Sequence, residues 1–139
     1  MLATIRKVFG LGGEERALLA EACVDLWRMR IGLWLVPFRW LYRAPRVARR
    51  SGPAPEQIAR AVSRGSRLVP WPTCLVRALA ARRLLARHGV ASELCLGVAR
   101  PAFGRFEAHA WLECGGVTIL GGEGAGAQYS TLKAKVIER

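Results

Sequence analysis

The spacing of apolar residues changes at Gly89, and this change restricts the folds that the chain can adopt. Before Gly89, apolar side chains recur at intervals of three and four residues, which is typical of helices. After it, the runs 92–98, 107–114 and 117–120 have strand character, and the glycine pair at 115–116 predicts a two-residue hairpin turn. The sequence therefore predicts helices followed by a small antiparallel sheet, which is an α+β fold.

Four segments in the first part of the chain have helical spacing, and prolines and glycines separate them. These segments are 14–30, 31–43, 55–65 and 74–88. Pro37 must either start the second segment or kink it. The stretch 44–54 is a polar linker, and 67–72 should be extended because Pro70 and Pro72 disfavour helix in the residues before them.

A chain of 139 residues suits one compact domain. We expect an amphipathic helical arm and linker, rich in Trp and Arg, at 1–50, and the main core at 51–139. Charged residues interrupt 18–40, so no run reaches the roughly 18 apolar residues that a membrane span needs. The first helix should lay one apolar face on a core or on a partner, and this face consists of Leu18, Leu19, Cys23, Leu26 and Trp27.

Charge and cysteine usage limit the partners and the compartment. The chain has 22 Lys and Arg residues against 10 Asp and Glu, a net charge of +12, so an acidic peptide or a nucleic acid must be considered as a partner. The arginines are spread over every segment instead of forming one patch interleaved with aromatic residues, which argues against a nucleic-acid site. The four cysteines have no CxxC spacing and follow no signal peptide, so reduced thiols in the cytoplasm are expected.

Cys74 has the sequence setting of a nucleophile. Thr73 can cap the following helix with its hydroxyl, which makes Cys74 the first helical residue. Unpaired amides and the positive end of the helix dipole stabilise a thiolate at that position. The alternative is a buried structural cysteine, which is the interpretation for Cys23, Cys95 and Cys114.

His109 is the candidate base for that thiol. It lies in the run 107–114, whose alternation places it on the same face as Trp111. The alternative is a half-buried histidine with a structural partner. The other histidine, His88, ends a helix and is expected to cap its last carbonyls.

A third group that orients the imidazole is harder to find. The chain has no asparagine and a single aspartate, Asp25, which lies in the first predicted helix. If 115–116 is a tight turn, simple pairing puts Gly122 opposite His109, and Glu123 is then the nearest carboxylate on the neighbouring strand. We expect Glu123 to orient the ring, with a backbone carbonyl as the alternative.

We expect neither a metal nor a cofactor. No Cys or His pair has the ligand spacing of a zinc site. Residues 121–126 contain four glycines but lack the Lys-Ser/Thr pair and the following helix of a phosphate loop. A loop beside the site is the favoured interpretation.

Two stretches together are specific enough to indicate a family: Cys74-Leu75-Val76-Arg77 and His109-Ala110-Trp111-Leu112-Glu113. They resemble the lasso peptide biosynthesis B2 proteins, a family of transglutaminase-like cysteine peptidases, in their stand-alone split form. The resemblance covers roughly 69–132. It implies a transglutaminase-like or papain-like core, in which a helix that carries the cysteine packs on a small antiparallel sheet that carries the histidine.

The resemblance implies proteolytic removal of the leader from a ribosomally made precursor peptide, before a lasso cyclase closes the ring. In the split form a separate leader-recognition protein binds the leader. Cys74 would be the nucleophile and His109 the base. The family's aspartate normally follows near the end of the next strand, where this chain has Gly121 and Gly122, so the chain departs from the family's triad.

The remaining expectations concern the substrate and the partners. The Cys74 amide is a natural oxyanion donor, with the Trp71 indole as a second candidate. Arg77, one turn further on, either contacts substrate or is an exposed or helix-pairing arginine, and Trp111 is assigned to the substrate side beside His109. Apolar surface left on the arm is a candidate dock for the leader-recognition protein, the cyclase or a membrane face.

Two other functions stay open at this point. A non-catalytic basic adaptor would bind acidic peptide or nucleic acid, and substitution of Cys74 would leave its function intact. A transglutaminase-like acyltransferase would pass the thioester to an amine instead of water.

Overall fold

The structure is a computed structural model that describes residues 6, 10–70, 73–99, 107–121 and 130–132. The helices in these ranges are α1 (Gly13–Leu35), α2 (Phe38–Tyr42), α3 (Pro55–Ser66) and α4 (Cys74–Arg87). The strands are β1 (Glu93–Ala99), β2 (Glu107–Cys114), β3 (Val117–Leu120) and β4 (Ser130–Leu132). The predicted α+β order of helices before strands is confirmed, and β4 is a strand that the sequence did not predict.

The strands form one antiparallel sheet in the order β3-β2-β1-β4. The glycine pair at 115–116 joins β2 to β3 with positive φ angles of 56° and 81°, as a two-residue hairpin turn requires. Strands β1 and β2 pair without interruption, so His109 lies opposite Gly97. The pairing of β2 with β3 is irregular between Leu112 and Glu113.

This irregularity corrects the predicted register of the hairpin. An uninterrupted pairing would set Leu120 opposite Trp111, whereas the structure sets Leu120 opposite Leu112. A bulge that adds one residue to β3 accounts for the shift, and apolar alternation alone does not locate such a residue. The predicted positions of Gly122 and Glu123 lie outside the described residues.

The helices pack on one face of the sheet and share one core with it. Strand β2 contributes Ala110 and Leu112 to this core, and β1 contributes Leu94. Helix α4 lies at the centre, because it contacts α1, α3, β1 and β2. On the other face of the sheet, Trp111 packs against Cys95. The buried residues of α4 are Val76, Ala78, Leu79, Ala80, Ala81, Leu84, Leu85 and Ala86.

Helix α1 packs against α3 and α4. Leu26 of the predicted apolar face is buried together with Met29, whereas Trp27 is 44% exposed and does not lie on the core. Gly65 of α3 allows a close crossing, because a β-carbon there would lie 3.1 Å from Leu26 Cδ1. The division of the chain at residue 50 stays a prediction, but α1 shares its core with the later helices.

The predicted effects of the prolines on the segments between the helices are confirmed in part. Pro37 separates α1 from α2, as expected, and the linker after α2 is held to α4 by the Ala48 amide, which donates to the Ala86 carbonyl at 2.8 Å. The extended stretch predicted before α4 is wrong at Arg67, because its amide donates to the Arg64 carbonyl and prolongs the helical turn. None of the described helices is long and apolar enough to cross a membrane.

A buried carboxylate ties α1 to the C-terminal end of α4. Arg87 Nη2 donates to Oδ2 of Asp25, whose side chain is fully buried. Burial raises the pKa of Asp25, against the opposing charges of Arg87, Arg83 and Arg28. The carboxylate is therefore costly to bury, and its arginine partner offsets part of that cost.

His88 takes the C-cap position of α4, as predicted. Its amide donates to the carbonyls of Leu84 and Leu85. Its ring pairs with α1 instead of the last carbonyls, since Nε2 lies 2.9 Å from Glu21 Oε2. The prediction was correct for the backbone and wrong for the imidazole, because tertiary packing brings Glu21 to the ring.

Replacing Arg87 by Met should destabilise the protein more at neutral than at acidic pH. A carboxyl whose pKa is raised on folding holds its proton more tightly in the folded state, so the free energy of unfolding falls as pH rises through the interval between the unfolded and folded pKa. Loss of Arg87 removes a charge that lowers the pKa of Asp25, so the variant shows the larger fall. We expect a loss of about 2 kcal/mol near pH 7.5 and a smaller loss near pH 4.5, measured by urea denaturation.

Arg60→Met is the matched control, since Arg60 is an exposed arginine on α3. It should change the free energy of unfolding little at either pH. An equal loss at both pH values for Arg87→Met would contradict the assignment of Asp25 as the titrating partner.

Candidate active site

Cys74 is the first residue of α4, as the sequence predicted. The Thr73 hydroxyl accepts a hydrogen bond from the Val76 amide at 3.3 Å, and the Thr73 carbonyl accepts from the Arg77 amide at 3.1 Å. The amides of Cys74 and Leu75 have no partner within the helix, because the first helical amides point beyond its start. The half-buried Cys74 thiol therefore lies beside backbone donors and the positive end of the helix dipole.

The other three cysteines lie in surroundings that disfavour a thiolate. Burial raises the pKa of Cys95 to about 11, and the negative charges of Glu113 and Glu93 add to the effect. Burial also raises the pKa of Cys23 and that of Cys114. These surroundings support the interpretation of the three as structural cysteines.

His109 projects from β2 on the sheet face that points away from the helices. It alternates with Ala110, which is in the helix-side core, and its ring lies at 21° to that of Trp111 with the centroids 6.2 Å apart. Its Nε2 lies 2.6 Å from the carbonyl oxygen of Gly121. A carbonyl oxygen only accepts, so in the neutral imidazole Nε2 carries the hydrogen and Nδ1 carries the lone pair.

Gly121 follows β3 directly and has a φ of 75°. A side chain would crowd β2, since a β-carbon would lie 2.9 Å from the Ala110 carbonyl oxygen and 3.3 Å from Cβ of Trp111. Glycine therefore lets the chain close against β2 and present its carbonyl to His109. The backbone carbonyl that was the alternative orienting group is present, whereas Glu123 lies outside the described residues.

Sequence reasoning did not single out Gly121 as the orienting residue. The signal that points to it is the glycine pair at 121–122, which stands where the family's aspartate is expected. Every residue has a backbone carbonyl, so residue type does not identify the carbonyl that faces the ring. Only the path of the chain does. The bulge in the hairpin sets that path, and the sequence does not show it.

Trp111 lies beside the imidazole, and its packing holds its side chain in place. It is only 3% exposed and packs against Cys95. Its Nε1 donates to Oε1 of Glu113 at 3.0 Å, which satisfies the indole N–H. The predicted role of Trp111 on the substrate side stays a prediction, and the structure adds a positioning contact to His109.

Cys74 and His109 are connected through α4 and β1, which follow one another in the chain. Helix α4 rises about 20 Å from Cys74 to its last residue, and β1 runs back about 13 Å from Glu93 to Gly97, which pairs with His109. Helix α4 also contacts β2. Cys74 packs on the helix-side core while His109 projects from the other face, so the pairing of the thiol with the imidazole stays a prediction.

Two predicted site residues remain, Arg77 and Trp71. Arg77 is half-buried, and its Nη2 lies 3.5 Å from Ser63 Oγ on α3, which is the predicted alternative of helix pairing. Trp71 lies outside the described residues. Within the described ranges, no three His, Cys, Asp or Glu side chains are grouped as a metal ion requires.

Comparison with known families agrees with this fold. The model of the transglutaminase-like superfamily matches residues 19–134, a span that includes Cys74 and His109. The chain therefore belongs to the transglutaminase-like superfamily, whose members are typically catalytic and include cysteine peptidases and acyltransferases. Comparison with curated proteins and with solved structures finds no match.

Replacing Gly121 by Ala should disturb the imidazole of His109 through the backbone. The added β-carbon meets the Ala110 carbonyl and Trp111, so the Gly121 carbonyl has to move away from Nε2. Nitrogen-15 NMR of the histidine ring should show the hydrogen on Nε2 in the wild type and a mixture of tautomers in the variant.

Gly116→Ala is the matched control, because Gly116 also has a positive φ, of 81°, but a β-carbon there meets nothing within 4 Å. Gly116→Ala should introduce the same kind of backbone strain as Gly121→Ala does, but it should leave the tautomer of His109 unchanged. If the two variants show the same ring spectrum as the wild type, the carbonyl does not fix the imidazole.

Proposed function

We propose that this protein is a cysteine peptidase that removes the leader from a lasso peptide precursor. The observation that carries the proposal is the hydrogen bond from His109 Nε2 to the Gly121 carbonyl, and the position of Cys74 at the start of α4 supports it. This bond orients the imidazole and places its lone pair on Nδ1, as a base for a thiol requires. The lasso substrate rests on the resemblance of the stretches 74–77 and 109–113 to the B2 proteins.

In the first half of the proposed reaction, the Cys74 thiolate attacks the carbonyl carbon of the last leader residue. A C–S bond forms, and the carbonyl oxygen becomes an oxyanion to which the Cys74 amide donates. When this intermediate collapses, the C–N bond breaks and Nδ1–H of the His109 imidazolium gives its proton to the leaving amine of the core peptide. The products of this half are a thioester and a free core peptide.

In the second half, water attacks the thioester and Nδ1 of His109 accepts its proton. The C–S bond breaks, the leader leaves with a new carboxylate, and the thiol is restored. Throughout, Nε2–H stays bonded to the Gly121 carbonyl. A neutral carbonyl stabilises the imidazolium less than a carboxylate does, so its contribution is mainly to the tautomer and the direction of the ring.

The proposed setting includes two partner proteins. A separate leader-recognition protein presents the precursor, and a lasso cyclase consumes the freed core peptide. The net charge of +12 favours encounter with acidic leader segments. The four described cysteines are free thiols, which fits a reducing cytoplasm, and the scheme needs no cofactor.

The proposal predicts that the wild-type protein, supplied with a leader-recognition protein, cuts a lasso precursor peptide at the leader–core junction. Cys74→Ala should lose at least about a thousandfold in rate, because the covalent route needs the thiolate. Intact-mass spectrometry detects both products, with the mass of one water added across them.

Cys114→Ala is the matched control, since Cys114 is another half-buried cysteine, on β2, whose pKa is raised by burial. It should cleave at nearly the wild-type rate. Equal cleavage by Cys74→Ala would contradict the proposal. In the presence of an added amine, a leader that carries the mass of the amine instead of water would show an acyltransferase.

A further inference from the structure

Helix α1 has a second apolar face, which points away from the core. Five exposed apolar residues, spaced by three, four, three and one positions, form a strip about 100° wide along the C-terminal part of the helix. The two most exposed of them, Trp34 and Leu35, are each 77% exposed. We call this set the outer stripe; it consists of Val24, Trp27, Ile31, Trp34 and Leu35.

The outer stripe continues beyond α1 and is separate from the core contacts of the helix. Trp40 in α2 is 62% exposed and extends the apolar surface. Among the described elements, α1 contacts α2, α3 and α4, and its buried residues, such as Ala22 and Leu26, lie on the arc opposite the outer stripe. The helix is therefore apolar on two sides, of which the described chain uses one.

The segment that holds most of the outer stripe and follows it in the chain carries only positive charge. Between Leu26 and Ala54 the sequence has seven arginines and no acidic residue. The exposed members are Arg28, Arg39, Arg43, Arg46, Arg49 and Arg50. A groove next to Trp40 adds further arginines from α4, among them Arg82 and Arg83.

We propose that the outer stripe and its arginines form a docking surface for an anionic lipid bilayer. The Trp, Ile and Leu side chains would enter the boundary between head groups and acyl chains, while the arginines contact lipid phosphates. Trp favours this depth because its ring is apolar and its N–H is polar. Helix α1 lies along the membrane plane, since none of the described helices can cross a bilayer.

The distribution of charge favours a bilayer over a folded protein as the occupant. The rim of a protein–protein interface is polar, whereas the surface of an anionic bilayer is uniformly negative and attracts basic segments. The charged residues of 26–54 are arginines alone, which complements a uniformly negative surface. The Arg30 guanidinium lies 5.3 Å from the centroid of the Trp34 ring, which holds a positive charge at the edge of the apolar strip.

The test is co-sedimentation of the full chain with phosphatidylcholine vesicles that contain or lack phosphatidylglycerol. The wild type should bind vesicles with phosphatidylglycerol and bind neutral vesicles much more weakly. Trp34→Ser combined with Leu35→Ser should lower the partition coefficient at least about tenfold, because the substitutions remove the apolar insertion. Tryptophan fluorescence of the wild type should shift to shorter wavelength when phosphatidylglycerol vesicles are added.

Two further variants separate the parts of the docking surface. Val117→Ser removes an apolar residue of 65% exposure on β3, outside the outer stripe, and should bind as the wild type does. Arg43→Gln combined with Arg46→Gln should reduce binding to phosphatidylglycerol vesicles and leave the weak binding to neutral vesicles unchanged. Circular dichroism verifies that each variant is folded.

Several outcomes would overturn the proposal. Equal vesicle binding by the wild type and the Trp34→Ser/Leu35→Ser variant would show that charge alone acts. A wild type that dimerises in analytical ultracentrifugation, through contacts that this variant abolishes, would assign the surface to a second copy of the chain. Binding of soluble polyglutamate that depends on Trp34 and Leu35 as strongly as vesicle binding does would assign it to an acidic peptide.

Discussion

The burial of α4 between the other helices and the sheet is the constraint on which the rest of the structure depends. Its buried alanines, such as Ala78, Ala80 and Ala81, leave room for the elements that contact it on several sides. This packing fixes both ends of the helix. Cys74 is held at one end, and Arg87 meets the buried carboxylate of Asp25 at the other. The thiol is therefore placed by the core, which is a rigid support, and not by a loop.

The histidine is positioned in a different way, by backbone. Strand β2 sets the place of His109, and the Gly121 carbonyl sets the direction and the tautomer of its ring. A carboxylate in that place would also stabilise positive charge on the imidazolium, and a carbonyl does this less. The stability of a Cys74 thiolate would then depend more on the helix N-terminus, where the amides and the dipole lie.

The parts of the fold that local sequence controls could be predicted. The Thr73 cap, the start of α4 at Cys74 and the turn at 115–116 each follow from residues adjacent in the chain, and the structure confirms them. The parts that depend on tertiary contacts could not. The exposure of Trp27, the pairing of His88 with α1 and the bulge in the hairpin all result from distant segments meeting. The orienting carbonyl belongs to this second group, because the bulge determines it.

The pH dependence of Cys74 alkylation, in the wild type and in His109→Gln, tests most directly whether the cysteine and the histidine act together. An ordinary thiol loses reactivity toward iodoacetamide below about pH 8.5, because the thiolate is the reacting form. If the imidazole stabilises the thiolate, the fall in the rate of the His109→Gln variant occurs at a higher pH than the fall in the wild-type rate. Superimposable profiles for the two proteins would contradict the pairing of Cys74 with His109.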